Sequence, residues 1–151
     1  MNSTIVISSA SLDTNILIYA ADSSAPEKQQ ICSDLVEYFI SVRGRLPLQC
    51  LNEFYSLTTR RPLLRPAQAR MIVERFLGSL VIVPSTISDT VLAMQMQEQH
   101  NIQFFDALLL ATALNAGCTT FFSEDMQDGR AYMGITVRNP LSAGFDLKLL
   151  S

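Results

Sequence analysis

Four acidic residues stand where the surrounding chain is too apolar to be an ordinary solvated surface. Asp13 follows Ser11-Leu12 and precedes Ile16-Leu17-Ile18, and Asp106 lies between Phe104-Phe105 and Leu108. Glu53 is followed by Phe54-Tyr55-Ser56, and Asp125 closes Ser123-Glu124-Asp125. Burying an ionised carboxylate costs several kcal/mol unless something compensates it. No Lys or Arg lies within five residues of Asp13, Glu53 or Asp106, and Asp125 has only Arg130. Two resolutions remain: raised pKa values or a bound divalent cation. Oxygen donors without His or Cys favour Mg²⁺ or Mn²⁺ over Zn²⁺. Such a site activates water and shields a phosphodiester during in-line attack.

Each acid also has an ordinary reading. A carboxylate in the first turn of a helix gains ~0.3–1 kcal/mol from the helix dipole, which would account for Asp106 and Glu53. Asp125 reads equally as a turn or cap residue. Asp13, hemmed in by apolar residues on both sides, resists such an account.

Other chemistries find little support. A nucleophile system would depend on His100, the single histidine. Cys32, Cys50 and Cys118 form no CxxC pair and read as reduced, buried small hydrophobes. The net charge of −3, from 14 acids and 11 bases, argues against a nucleic-acid partner when taken alone. Removing four metal-bound carboxylates turns −3 into +1. The acidity then belongs to a site rather than to the surface, and a nucleic-acid substrate becomes admissible.

The elements that must position these residues alternate between short strands and longer helices. Strands are expected at 5–13, 45–48, 80–83, 119–122 and 135–137. Helices are expected at 15–21, from Pro26 to a stop at Gly44, at 50–59, from Pro66 to Gly78, from a Ser85 or Thr86 cap to about Gln99, and at 104–116. The last is nearly all apolar and should lie inside the molecule. This alternation implies a parallel sheet covered on both faces, in which ligands bind beyond the carboxyl ends of the strands. Asp13 and Asp125 both follow strands and should share one rim. With 151 residues, 48% of them hydrophobic, the chain is long enough for one domain with a real core. The longest apolar stretches, near ten residues, are too short to span a membrane. No basic residue precedes Ile5-Val6-Ile7, so no secretory signal is expected and the location is read as cytoplasmic.

Four motifs in order carry a resemblance. Leu12-Asp13-Thr14-Asn15-Ile16-Leu17-Ile18-Tyr19-Ala20 resembles the opening motif of PIN-domain nucleases. Leu51-Asn52-Glu53-Phe54-Tyr55 resembles their second motif, and 104–113 (Phe104-Phe105-Asp106 to Ala113) the third. Ser123-Glu124-Asp125-Met126-Gln127-Asp128-Gly129 resembles the fourth, in the form common among VapC-type toxins of bacterial toxin–antitoxin pairs. The closing Gly134-Ile135-Thr136-Val137-Arg138-Asn139-Pro140 fits as well. The resemblance implies a PIN-like three-layer α/β/α sandwich with a central, mainly parallel sheet, occupying 1–151 as one domain. It implies a metal-dependent ribonuclease using Mg²⁺ or Mn²⁺ on single-stranded or structured RNA, inhibited by a cognate antitoxin and often homodimeric. Asp13, Asp106 and Asp125 would be metal ligands and Glu53 would complete the catalytic acids. Thr14, Asn15 and Ser123 would orient the carboxylates.

Weaker features remain. Asp128-Gly129 reads as a turn rather than a further acid. Arg60, Arg61 and Arg65 flank a Pro62 turn, either as RNA phosphate contacts or as a solvated loop. Tyr19, Tyr55, Phe54 and Phe105 are base-stacking candidates, with core packing the expectation for both Phe. Met94 and Met96 are expected to fill the fifth helix. The apolar tail 145–150 packs either on the domain or on a partner. Two rival functions stay in view. One is a PIN fold that binds RNA or protein without cutting. The other is a phosphotransfer domain using Asp13 as nucleophile, against which Asn15 stands where a second Asp would be required.

Overall fold

The computed structural model describes residues 4–151. In chain order the elements are β1 (Ala10–Leu12), α1 (Thr14–Ala21), α2 (Pro26–Ser41), β2 (Arg45–Pro47), α3 (Leu48–Arg60) and α4 (Pro66–Ser79). There follow β3 (Val81–Val83), α5 (Ile87–His100), α6 (Phe104–Asn115), β4 (Thr120–Phe122), β5 (Ala131–Tyr132) and β6 (Ile135–Arg138). Four strands form one sheet in the order β1-β4-β6-β5, and β2 and β3 form a separate parallel pair. β1, β4 and β6 are parallel to one another, with Leu12 beside Phe122 and Phe122 beside Arg138. The architecture is the mixed α/β one expected, with a mostly parallel sheet.

Three details depart from the sequence reading. The strand expected at 5–13 is short, because β4 offers only three partners, from Ala10↔Thr120 to Leu12↔Phe122. Residues Ile7–Ser9 instead wind into one 3₁₀ turn. β5 is an unforeseen strand, antiparallel to β6 with Tyr132 opposite Ile135. The two-residue loop between them is Met133-Gly134, both with positive φ (56° and 113°). That is a type I′ turn, built here without the usual Asn-Gly signature. Finally, β2 and β3 leave the main sheet, joined to it where the Ser11 hydroxyl donates to the Arg45 carbonyl at 2.8 Å.

Other expectations meet the structure more closely. Thr86 is the N-cap of α5 and forms a reciprocal box with Asp89. The Thr86 N–H donates to the Asp89 carboxylate at 2.8 Å, and the Asp89 N–H to the Thr86 hydroxyl at 3.2 Å. α6 lies in the interior, with Leu109, Leu110, Ala111 and Ala113 buried. Met96 is buried, but Met94 is exposed, in a stripe on α5 with Ile87 and Val91. The tail packs on the domain: the Ile5 N–H donates to the Leu149 carbonyl at 2.7 Å, and Phe145 meets Phe122 edge to face at 5.8 Å. All three cysteines are free and buried, and burial pushes the Cys32 thiol up to about 12 and Cys118 to about 11.

Gly44 marks where packing is tightest. A Cβ there would stand 1.9 Å from the ring of Phe39, which is fully buried. Gly44→Ala is expected to cost about 1–3 kcal/mol, the range for overpacking a core. Urea unfolding of the variant against the parent checks this.

Candidate active site

The sheet register explains how residues far apart in sequence meet. Asp13 and Ser123 each stand one residue beyond the paired residues Leu12 and Phe122. The backbone continues the ladder there: the Asp13 N–H donates to the Phe122 carbonyl at 2.8 Å, and the Ser123 N–H to the Arg138 carbonyl at 3.0 Å. The Ser123 hydroxyl therefore reaches the Asp13 carboxylate at 2.7 Å. The same hydroxyl accepts the Asp125 N–H at 3.1 Å, which fixes the loop carrying that acid.

Asp13 is also the N-cap of α1, and its carboxylate accepts the Thr14 N–H at 2.7 Å. From the next positions, the Thr14 hydroxyl donates to Glu53 at 2.9 Å and the Asn15 amide donates to Asp125. The first turn of α1 thus touches three of the four acids. Glu53 receives a second donor, the Gln49 amide one helical turn before it, at 2.6 Å. Because α3 begins at Leu48, Glu53 lies in its second turn, and the helix-dipole account of this acid fails. Asp106 does lie in the first turn of α6, where its N–H donates to the Gln103 side chain at 3.2 Å. Among the described residues no group hydrogen-bonds the Asp106 carboxylate.

Electrostatics agree with this crowding. Burial, with Ser123 and Thr14 opposing it and the fields of Asp106 and Asp125 adding to it, pushes the Asp13 carboxyl up to about 7. Only 4% of Asp13 is exposed. Burial raises Asp106 too, reinforced by Asp125 and Glu53. Asp125 is raised by burial and by Glu124, against the Asn15 bond. No cation pairs with any of the four among the described residues. Lys28 instead pairs with Glu124 at 3.4 Å, and the Tyr19 hydroxyl donates to Glu124 at 2.6 Å. A donor set of hard carboxylate oxygens fits a divalent cation of the Mg²⁺ type. The acids share one field without closing on a point: among the described residues no three His, Cys, Asp or Glu stand as a metal-holding group.

The weaker candidates separate. Arg60 and Arg61 lie seven and eight residues beyond Glu53, at the far end of α3, roughly 10–12 Å along the helix. Phe54 is core as expected, whereas Phe105 is 56% exposed and Tyr55 41% exposed. Phe105 was expected inside; as the second residue of α6 it projects from the helix start, while Ala107, Leu109 and Leu110 take the buried face. Asp128 serves the turn, accepting the Asn139 N–H at 2.9 Å ahead of Gly129 (φ 81°). His100 packs on Tyr132 and meets Arg130 at 3.2 Å, away from the acids. The contacts of Gln49, Gln103, Lys28 and Glu124 were not anticipated. Only Gln49 carried a sequence signal, four residues before Glu53 on the same helix face.

Comparison with known proteins follows the same outline. The family model described as "PIN domain" matches residues 10–128. No curated protein matches the sequence. Among solved structures, VapBC2 from Rickettsia felis, bound to a promoter DNA fragment, is 18% identical. It superposes with a TM-score of 0.64 over 86% of this chain and 97% of that one. DNA-bound VapBC from Salmonella typhimurium gives 0.66 at 16% identity, over 90% and 99%. VapC20 from Mycobacterium tuberculosis, a toxin that cleaves the sarcin–ricin loop, gives 0.57 at 18% identity, over 78% and 92%. At these identities the likeness is one of fold.

Proposed function

We propose that this chain, which belongs to the PIN-domain family, is a metal-dependent endoribonuclease for single-stranded RNA and the toxin of a type II toxin–antitoxin pair. The observation that carries the reading is the gathering of Asp13, Glu53, Asp106 and Asp125 from separate elements at one sheet rim, with no cation among their partners in the described residues. Asp13, Asp106 and Asp125 would hold Mg²⁺ or Mn²⁺, with Glu53 completing the set directly or through water. When bound, such an ion lowers the pKa of water and offsets charge on a phosphodiester.

The chain's own residues do the positioning. Ser123 and the Thr14 N–H hold both oxygens of Asp13. Thr14 and Gln49 hold both oxygens of Glu53, and Asn15 holds one oxygen of Asp125. Among the described residues no donor holds the Asp106 carboxylate, which leaves both of its oxygens to the ion. The fold neighbours that are toxin–antitoxin complexes support an antitoxin partner. The exposed stripe Ile87, Val91 and Met94 supports self-association. Work in the cytoplasm, by one domain spanning 1–151, completes the proposal; among the described residues no helix is long and apolar enough to cross a membrane.

The test is cleavage of a panel of single-stranded RNAs by the purified chain in Mg²⁺ or Mn²⁺. Parent activity with none in Asp106→Asn is expected. A variant that cuts at the parent rate removes the site assignment. A parent that binds RNA and metal without cutting would favour the non-catalytic module.

A further inference from the structure

Three of the four acids ride on regular elements: Asp13 caps α1, Glu53 lies in α3 and Asp106 in α6. Asp125 lies in the irregular connection between β4 and β5 and is exposed. Ser123 holds this loop where it leaves β4, by accepting the Asp125 N–H. A loop carboxylate must be ordered before it can hold an ion, and that ordering costs backbone and side-chain entropy. Contacts that order the loop in advance therefore add to affinity.

The first helix grips the loop at two points. The Asn15 amide donates to the Asp125 carboxylate, and the Tyr19 hydroxyl donates to Glu124 at 2.6 Å. Positions four apart share one helix face, so consecutive loop residues meet consecutive turns of α1. Lys28, from α2, closes over the second contact. Its ammonium stands 3.4 Å from the Glu124 carboxylate, 3.5 Å from the Tyr19 hydroxyl and 4.8 Å from the centre of the Tyr19 ring. Both oxygens of Glu124 are thus engaged, one by Tyr19 and one by Lys28. The Tyr19 ring, a base-stacking candidate in the sequence, has a cation of its own chain over it.

We propose that Tyr19, Glu124 and Lys28 are positioning residues for the metal site: the Tyr19–Glu124 bond, closed over by Lys28, holds the loop so that Asp125 is in place before the ion arrives. The assignment rests on the reading of Asp13, Asp106 and Asp125 as metal ligands. None of the three residues touches the ion in this arrangement; they act through the backbone that joins Glu124 to Asp125. Removing groups that orient ligating side chains costs about 10–100-fold in metal affinity. The lower end of that range is expected here, because the loop keeps its ties to Ser123 and Asn15.

The test is Mn²⁺ binding to the full chain without RNA, read from the free-ion EPR signal. Tyr19→Phe removes the hydroxyl but keeps the ring, its packing and the Glu124 charge; it should weaken Mn²⁺ about tenfold. Glu124→Gln removes the charge but keeps an acceptor for the hydroxyl; it should lose less than about threefold. Glu124→Ala should lose about tenfold, and adding Tyr19→Phe to it should cost nothing more, because both act through one bond. The clamp is overturned if Tyr19→Phe binds Mn²⁺ within about twofold of the parent. It is overturned equally if Glu124→Gln loses as much as Glu124→Ala, since the charge and not the bond would then be responsible. Cleavage separates the clamp from the nuclease reading. A parent that cuts RNA, with Tyr19→Phe binding Mn²⁺ as tightly, removes the clamp and keeps the nuclease. A parent that binds Mn²⁺ without cutting, with weakened binding in Tyr19→Phe, does the reverse. A parent that takes up no Mn²⁺ overturns both.

Discussion

Asp13→Asn is expected to abolish RNA cleavage and, in the same protein, to raise stability above neutral pH. The loss of activity should reach about 10³-fold or more, the scale on which removing one group that manages developing charge acts. The gain in stability follows from linkage. Burial holds the Asp13 carboxyl at about 7 in the folded chain, against 3.8 for a free aspartate. Between those values the folded state keeps a proton that the unfolded state has released. Stability from this group is therefore fully present below about pH 4 and is lost as pH rises through about 7. The shift of about three units corresponds to at most about 4 kcal/mol. Asp106 and Asp125 are raised as well and act in the same direction. Asparagine retains the shape, an acceptor for the Thr14 N–H and a group for Ser123, without the charge. Urea unfolding of metal-free protein at pH 5 and pH 8 should show the parent weakening with pH and the variant weakening less, by what Asp106 and Asp125 still contribute. A parent more stable at pH 8 than at pH 5 would contradict the burial argument, and a variant that cuts RNA would contradict the site.

Divalent metal should reverse that pH dependence and be required for cleavage. Chelation with excess EDTA is expected to stop activity fully, and added Mg²⁺ or Mn²⁺ to restore it. An ion held by Asp13, Asp106 and Asp125 needs all three ionised, so loading competes with protons. Activity in subsaturating metal should therefore climb between about pH 6 and pH 8, following the Asp13 carboxyl. Binding only to the folded chain adds stability by mass action, about 2.7 kcal/mol at a hundredfold excess over Kd. A thermal scan with and without metal at pH 8 reads this directly. Cleavage that persists in EDTA, or a Tm indifferent to metal, would sink the metal assignment.

The sequence alone determined the acids and, β5 apart, the order of the strands and α-helices. A carboxylate after an apolar strand and another at the head of an apolar helix are local patterns, and burial energetics make them conspicuous. A cap at Ser85 or Thr86, the buried run of α6 and the rim position of Asp13 and Asp125 follow from the same short-range rules, and the fold chose Thr86. Tertiary structure decided what those acids touch. The bond from Ser123 to Asp13 exists because β1 and β4 pair in register with Leu12 beside Phe122, across 110 residues of chain. Gln49, Lys28 and Glu124 acquired partners in the same way, and Phe105 was left exposed because Ala107, Leu109 and Leu110 filled the inner face of α6. β5 was hidden because its turn, Met133-Gly134, takes positive φ without the residues that usually advertise it. Periodicity and capping are properties of neighbours along the chain, so they can be read in order. Register, the exposure of one ring and the donors of one carboxylate depend on which distant surfaces meet, and only the packed fold settles them.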